Sequence, residues 1–161
     1  MKIISVILPK GGVGKTTTSV NLAAALALME KQVLIVDMDP AGTCSISLGF
    51  DPSSIKYGLI NLLARQVEIR DCIHKTIIPH LDYIPINIKN SEDDDQLQRL
   101  SVNISIFRDS LKKEYLPYDF IILDCPPYLK GASNLALAAS DSVLIPVKSA
   151  NFSIQALHKL I

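Results

Sequence analysis

Net charge is missing from this sequence: 16 lysines and arginines balance 16 aspartates and glutamates, and the pI is about 6.8. Such a balance advertises no general basic face for nucleic acid and leaves room only for a local patch. No apolar run approaches the ~20 residues of a transmembrane helix. The opening MKIISVILPKGG is apolar too briefly for a signal peptide, and glycines stand where a small-residue cleavage site would be. Cysteine is scarce. Cys44, Cys72 and Cys125 lie far apart with no CxxC pair, which argues against a disulfide framework or zinc knuckle and fits a reducing cytoplasm. We read all three as small, half-buried residues. His74, His80 and His158 share no metal-ligand spacing, so surface or core positions are their default. No repeat, low-complexity run or linker interrupts the chain.

What is present fits one compact domain with a substantial core: 161 residues, 48% hydrophobic and 20% charged, with mean hydropathy +0.29. Lys2–Leu8, Gln32–Val36 and Phe120–Leu123 read as apolar strands without polar alternation, as in a sheet covered on both faces. Leu81–Ile86 and Val143–Val147 add two more, with Pro85 limiting the pairing of the former. Helices are expected over Thr16–Glu30, Ile55–Arg65, Glu68–Lys75 and Ala132–Ala139. The first has apolar residues nearly all round and reads as buried. Glu92–Asp95 reads as a solvated acidic loop at a helix N-terminus. Leu97, Leu100, Ile104, Phe107 and Leu111 then form one amphipathic stripe, with Lys112 and Lys113 suiting its C-terminal end. Ser153 is placed as the cap of a last helix bearing Ile154, Leu157, Leu160 and Ile161. Alternating strands and helices give an α/β fold with a mostly parallel sheet.

Lys10-Gly11-Gly12-Val13-Gly14-Lys15-Thr16-Thr17 separates the first strand from the first helix. Glycines let the backbone curl so that successive N–H groups face an anion, and the helix N-terminus adds its positive dipole end. Lys15 can reach β- and γ-phosphates, and the Thr16 hydroxyl can ligate Mg²⁺. A glycine turn with two solvated lysines is the alternative that this context disfavours. Two later strands end in carboxylates, Val36-Asp37-Met38-Asp39-Pro40-Ala41-Gly42 and Leu123-Asp124-Cys125-Pro126-Pro127. In an open α/β sheet that strand edge is where ligands bind. Asp124, held at a strand tip, has the Walker B arrangement of a carboxylate near Mg²⁺.

The loop departs from GxxxxGK[ST], because Pro9 stands where the first glycine would fall and Lys10 opens the loop instead. In this it resembles the deviant Walker A motif, KGGxGK[ST], of the ParA/MinD superfamily. The run GGVGKTTTSVNLAAALA is most similar to ParA/Soj partition ATPases. The Asp37–Gly42 segment resembles that family's switch I, DxDPQG, with Ala41 in place of glutamine. The Asp124–Pro127 segment resembles its switch II. The resemblance implies a doubly wound P-loop NTPase fold flanked by helices, and an ATPase that uses ATP and Mg²⁺ and cleaves the β–γ bond. It makes Lys10 a contact to the partner subunit's nucleotide, Asp39 the group that orients water, and Asp37 an outer-shell neighbour of Mg²⁺. Asp124 would bind that ion through a water. Lys10, Lys15 and Asp39 are thus the candidate catalytic residues. Lys10, Gly11, Gly12, Val13, Gly14, Lys15, Thr16 and Thr17 form the nucleotide loop, and Thr16, Asp124 and Asp37 the metal side. ATP over GTP follows from the resemblance and from the lack of an NKxD segment in the chain.

The family's known partners become expectations too: ATP or ADP, an ATP-dependent homodimer, a ParB-like centromere-binding protein and, in a full-length form, nonspecific DNA. A cytoplasmic location, on the nucleoid when ATP is bound, is implied, and no membrane. The family continues beyond this length, so residues 1–161 are read as a single P-loop ATPase domain truncated at its C-terminus. Two alternatives remain open, a nucleotide-binding fragment without turnover and a MinD-like membrane-associated division regulator. An iron protein of the nitrogenase type shares the loop but needs cluster-holding cysteines, which three scattered thiols do not supply.

Overall fold

The computed structural model describes residues 1–113, 116–149, 157 and 160. Its centre is a six-stranded sheet in the order β3-β4-β2-β5-β1-β6. The strands are β1 (Lys2–Val6), β2 (Val33–Asp37), β3 (His74–Lys75), β4 (Leu81–Ile84), β5 (Phe120–Asp124) and β6 (Ser142–Leu144). All pairings are parallel except β3 with β4. The inner strands are apolar because helices cover both faces: every residue of β2 is buried. One face packs Ile3, Leu34, Ile121, Phe107 and Leu135 into a core. The other packs Val6, Ile35, Ile122 and Tyr83 against Ala23 and Ala27.

Those two alanines belong to α1 (Lys15–Leu28), whose buried residues are Lys15, Ser19, Ala23 and Ala27. The i, i+4 repeat makes one narrow stripe of mostly small side chains, which lets the helix lie close on the sheet. The expectation of an all-round buried helix is corrected, since Leu28 is 79% exposed. After β2 come α2 (Thr43–Ser47), a 3-10 turn at Pro52–Ser54 and α3 (Leu59–Leu63). The helix expected over Ile55–Arg65 is thus shorter. Gly58 precedes it where a Cβ would collide with the Pro85 carbonyl, and the Leu59 N–H donates to that same oxygen at 2.7 Å. Close contact between two backbones fixes the helix start.

Glu68–Lys75 is not a helix. Ile69–Cys72 forms a single 3-10 turn that buries Ile69 and Cys72, and His74–Lys75 then joins β4 as an antiparallel edge. The long amphipathic stripe also divides, into α4 (Ser91–Leu100) and α5 (Ile104–Lys113). Ser101 ends α4, and its hydroxyl donates to the Leu97 carbonyl at 2.6 Å. Leu97, Phe107 and Leu111 still share one core, so the periodicity was real and only its continuity was broken. The acidic run lies inside the first turn of α4 and not in a loop, with Asn90 capping the Asp93 N–H at 3.0 Å. Its charge still suits the helix dipole. The helix α6 (Ala132–Ala139) has its expected bounds. All three cysteines are fully buried and not half-buried. The Ser153 helix and His158 lie outside the described residues, apart from Leu157 and Leu160. No helix among the described residues is long and apolar enough to cross a membrane.

Candidate functional site

The parallel sheet brings the three sequence segments to one edge. Asp37 and Asp124 are register partners on adjacent strands, and Val6, at the end of β1, is paired with Asp124. The glycine loop springs from β1 at that level. Gly12 (φ +69°) and Gly14 (φ +93°) take left-handed backbone, and a Cβ on either would meet nothing within 4 Å. The space is open, so what the loop demands of these glycines is conformation. Gly14 caps α1, leaving the first helical N–H groups aimed at a cleft of about 250 Å³. Gly11, Gly12, Lys15, Thr16, Thr17, Asp39 and Pro127 are among its walls.

Lys15 is 7% exposed, and its ammonium donates to the Lys10 carbonyl at 3.0 Å. Burial lowers its pKa, opposed by the charges of Asp39 and Asp124. Lys10, the first residue of the loop, is half-buried, and Val13 is buried against Leu8. The Thr16 hydroxyl donates to Asp124 Oδ2 at 2.7 Å and lies 3.2 Å from Thr43 Oγ1. Ser19 Oγ is 2.7 Å from Asp124 Oδ1, and the Cys44 thiol donates to Asp124 Oδ2 at 3.3 Å. Asp37 Oδ1 accepts the Asp39 N–H at 3.0 Å, and Asp37 Oδ2 accepts the Tyr83 hydroxyl at 3.3 Å. Half-buried Asp39 accepts the Ala41 N–H at 3.0 Å, closing a turn that needs Gly42 at φ +63°. The loop, Asp37, Asp39 and Asp124 therefore come together as the motifs required. Val13 faces the core instead of the cleft.

Two carboxyls dominate the electrostatics of the site. Asp37 and Asp124 are both fully buried. Burial is the main cause that pushes both carboxyls above the ordinary range, for Asp37 well above it and with Asp124's charge second. Hydrogen bonds from Ser19, Thr16 and Cys44 partly offset the effect at Asp124. Ligand atoms of Asp37, Cys44 and Asp124 lie within 4.8 Å of one another. Two carboxylates and a threonine hydroxyl make a hard oxygen donor set, which fits Mg²⁺. Cys44, Ser19, Thr43, Ser45 and Tyr83 were missed by sequence reasoning. Ser19 could have been found, because it lies one helical turn beyond Lys15 on the same face. Tyr83 could not, since only the β2–β4 pairing brings it near.

A protein-family profile described as an AAA domain matches residues 1–161. Among curated proteins, the chain is 39% identical over 161 residues to the sporulation initiation inhibitor protein Soj of Bacillus subtilis, covering 99% of this chain and 63% of Soj. It is 37% identical over 159 residues to the chromosome partitioning protein ParA of Myxococcus xanthus, covering 99% and 56%. The chain thus spans less than two thirds of these relatives' length. Cobyrinic acid a,c-diamide synthase of Mycobacterium smegmatis, solved with ADP and magnesium, superposes with TM-score 0.89 at 26% identity over 99% of this chain and 65% of that one. The septum site-determining protein MinD of Pyrococcus horikoshii, solved with Mg-ADP, gives 0.84 at 27% identity over 99% and 63%. These neighbours share the P-loop NTPase fold, with its mostly parallel sheet flanked by helices. A match over its whole length shows that this chain belongs to the AAA-domain family, with the sporulation initiation inhibitor protein Soj and the chromosome partitioning protein ParA among its relatives.

Proposed function

We propose that the chain binds ATP with Mg²⁺ and is the nucleotide-handling part of a partition ATPase. The observation that carries this reading is the 2.7 Å hydrogen bond from Thr16, which lines the glycine-walled cleft, to the buried Asp124. It sets a hydroxyl and a carboxylate side by side for one hard cation under a phosphate-sized anion nest. Lys15 and the amides of Gly11–Thr17 hold the phosphates, while Thr16, Asp124 and Asp37 hold or surround the ion. When bound, Mg²⁺ neutralises charge on the phosphate oxygens. Asp39 orients a water toward the γ-phosphorus; the β–γ bond breaks, giving ADP, inorganic phosphate and a proton. Lys10 serves the nucleotide of a second copy, so turnover and ATP-dependent dimerisation are linked. On the same reading, residues 1–161 are a single P-loop domain, with a ParB-like centromere-binding protein and nonspecific DNA as partners and a nucleoid location in the cytoplasm.

Because the chain is shorter than its relatives, binding and turnover are tested separately. Calorimetric titration with ATP and Mg²⁺ is expected to show saturable binding. Asp39→Ala is expected to keep the affinity within about threefold while turnover in a full-length form falls about 100-fold or more, since its task is the water and not the phosphate. Failure of the wild type to bind overturns the nucleotide reading. Normal turnover in Asp39→Ala places the water-orienting group elsewhere. Binding by this chain with no turnover supports the fragment alternative.

A further inference from the structure

One buried phenol reaches the site from outside its three motifs. Tyr83 on β4 is paired with Ile35 on β2, so it shares a sheet face with Ile35 and Asp37. Asp37 stands two residues further along, a rise of about 6.6 Å, which matches the length of a tyrosine side chain. The ring runs up the strand, stacked at a tilt on Phe50 with 5.2 Å between centroids. Its hydroxyl donates to Asp37 Oδ2 at 3.3 Å, and Ser45 Oγ of α2 lies 2.8 Å from the same hydroxyl. Since the phenol proton goes to Asp37, Ser45 is the donor to the phenol oxygen. The other Asp37 oxygen accepts the Asp39 amide. One carboxylate therefore ties together β4, α2 and the segment that carries Asp39.

We propose that Tyr83 is a positioning residue for this site: its hydroxyl, anchored by Ser45, fixes the rotation of the Asp37 carboxylate and so sets both the metal affinity of the cleft and the placement of Asp39. The inference rests on the reading of Asp37 as a neighbour of the nucleotide's Mg²⁺. Phenylalanine would fill the same space against Phe50, so packing alone does not account for the hydroxyl. What the hydroxyl adds is a directional hydrogen bond to one oxygen of a fully buried carboxyl, which holds that carboxyl in one rotation. A phenol keeps its proton at neutral pH, so the hydroxyl is a donor there. The same arrangement gives α2 a direct response to the ion. A cation beside Asp37 changes the field at the Tyr83 hydroxyl, and Ser45 feels the change through that shared group.

The test uses Tyr83→Phe and Ser45→Ala, with a fluorescent ATP analogue titrated against Mg²⁺ and, separately, in EDTA. Tyr83→Phe is expected to raise the Mg²⁺ concentration for half-saturation about tenfold, with EDTA affinity unchanged, because a carboxyl no longer fixed in rotation must be ordered when the ion binds. Ser45→Ala is expected to move it the same way by less, and the double variant no further than Tyr83→Phe, because both act through one hydroxyl. A purely structural tyrosine would lower the melting temperature and leave the Mg²⁺ curve in place, and that result overturns the proposal. The wild type supplies a second readout independent of variant folding. It has five tyrosines and no tryptophan, so Mg²⁺ with the ATP analogue should produce a tyrosine difference spectrum near 290 nm. A flat difference spectrum in a protein that binds the analogue overturns the Tyr83 role alone. No binding by the wild type overturns the nucleotide reading and the Tyr83 role with it.

Discussion

Asp82 and Asp124 are both buried carboxylates on parallel strands of one sheet, yet they are held in opposite ways. Asp82, on β4, accepts the Lys75 ammonium at 2.8 Å and the Tyr118 hydroxyl at 2.6 Å. The hydrogen bonds described for Asp124 come from two hydroxyls and a thiol, all neutral, and a second carboxylate faces it across the strand pair. A charge supplied with a cation is settled within the fold; a pair of charges supplied with dipoles keeps an appetite for one. Cleft size would have misled here. The cavity beside Asp82 is about 540 Å³, against about 250 Å³ at the glycine loop. The smaller cleft has the backbone amides and the lysine, with the carboxyl pair beside it, and chemistry decides between the two.

The comparison is broken most severely by removing the one buried cation at the loop. Lys15→Ala is expected to weaken ATP binding about 100-fold or more, because bonds between an ammonium and phosphate are charge-assisted and the site is partly desolvated. Calorimetry with Mg²⁺ and ATP measures it. Lys75→Ala, at the Asp82 site, should leave that affinity where it is. Equal losses in the two variants would mean that the Asp82 region also serves the nucleotide.

Stability should rank the two carboxylate sites the other way. Asp82→Asn weakens the bonds from Lys75 and Tyr118, and is expected to cost about 1–2 kcal/mol. The Lys75 side chain is 85% exposed, so most of that loss should come from the shorter, buried Tyr118 bond. Asp37→Asn keeps an acceptor for the Asp39 amide, lets its NH2 donate to the Tyr83 oxygen once that hydroxyl turns its proton to Ser45, and removes a buried carboxyl beside Asp124. It is expected to leave the nucleotide-free protein as stable as the wild type, or more stable by about 1 kcal/mol. Thermal melts without Mg²⁺ read both. If Asp37→Asn melts lower than Asp82→Asn, the carboxylate pair is a structural feature and not a metal site in waiting.

Much of this site was legible in the chain, and the limits of that legibility are physical. Strand tips carrying Asp37 and Asp124 could be found because parallel strands buried on both faces read as plain apolar runs that end at the first charge. The glycine loop declared itself because left-handed backbone selects glycine. By contrast, Glu68–Lys75 was misread because two buried residues three apart, Ile69 and Cys72, satisfy a helical pattern that one 3-10 turn satisfies as well. The division between α4 and α5 turns on Ser101 bonding back to Leu97, a local competition that periodicity averages away. Cys44 and Tyr83 touch the carboxylates through tertiary placement. Their neighbours in sequence give no hint of it.

The gentlest probe of the contrast is pH. Asp37 and Asp124 have folded-state pKa values raised above 3.8, chiefly by burial. A carboxyl of this kind prefers to be protonated in the folded state. Its contribution to stability is fully present below the unfolded value of 3.8 and is lost as pH rises through the raised folded value. Between neutral pH and 3.8, acidification should therefore stabilise the nucleotide-free protein through these two groups. Asp51 works in the opposite sense: hydrogen bonds from Ser53 lower its pKa, so its contribution fades as pH falls. The pair is isolated by subtracting the pH profile of Asp37→Asn from that of the wild type. The difference in melting temperature is expected to narrow as pH falls, by about 3 °C per kcal/mol recovered in a domain of this size. Mg²⁺ with ATP should reverse the trend, because the ion requires the ionised carboxylates and protons compete with it. A difference that stays constant from pH 7 to pH 4.5, with and without Mg²⁺ and ATP, would show that Asp37 carries no charge penalty in the folded state, and the contrast with Asp82 would then rest on geometry alone.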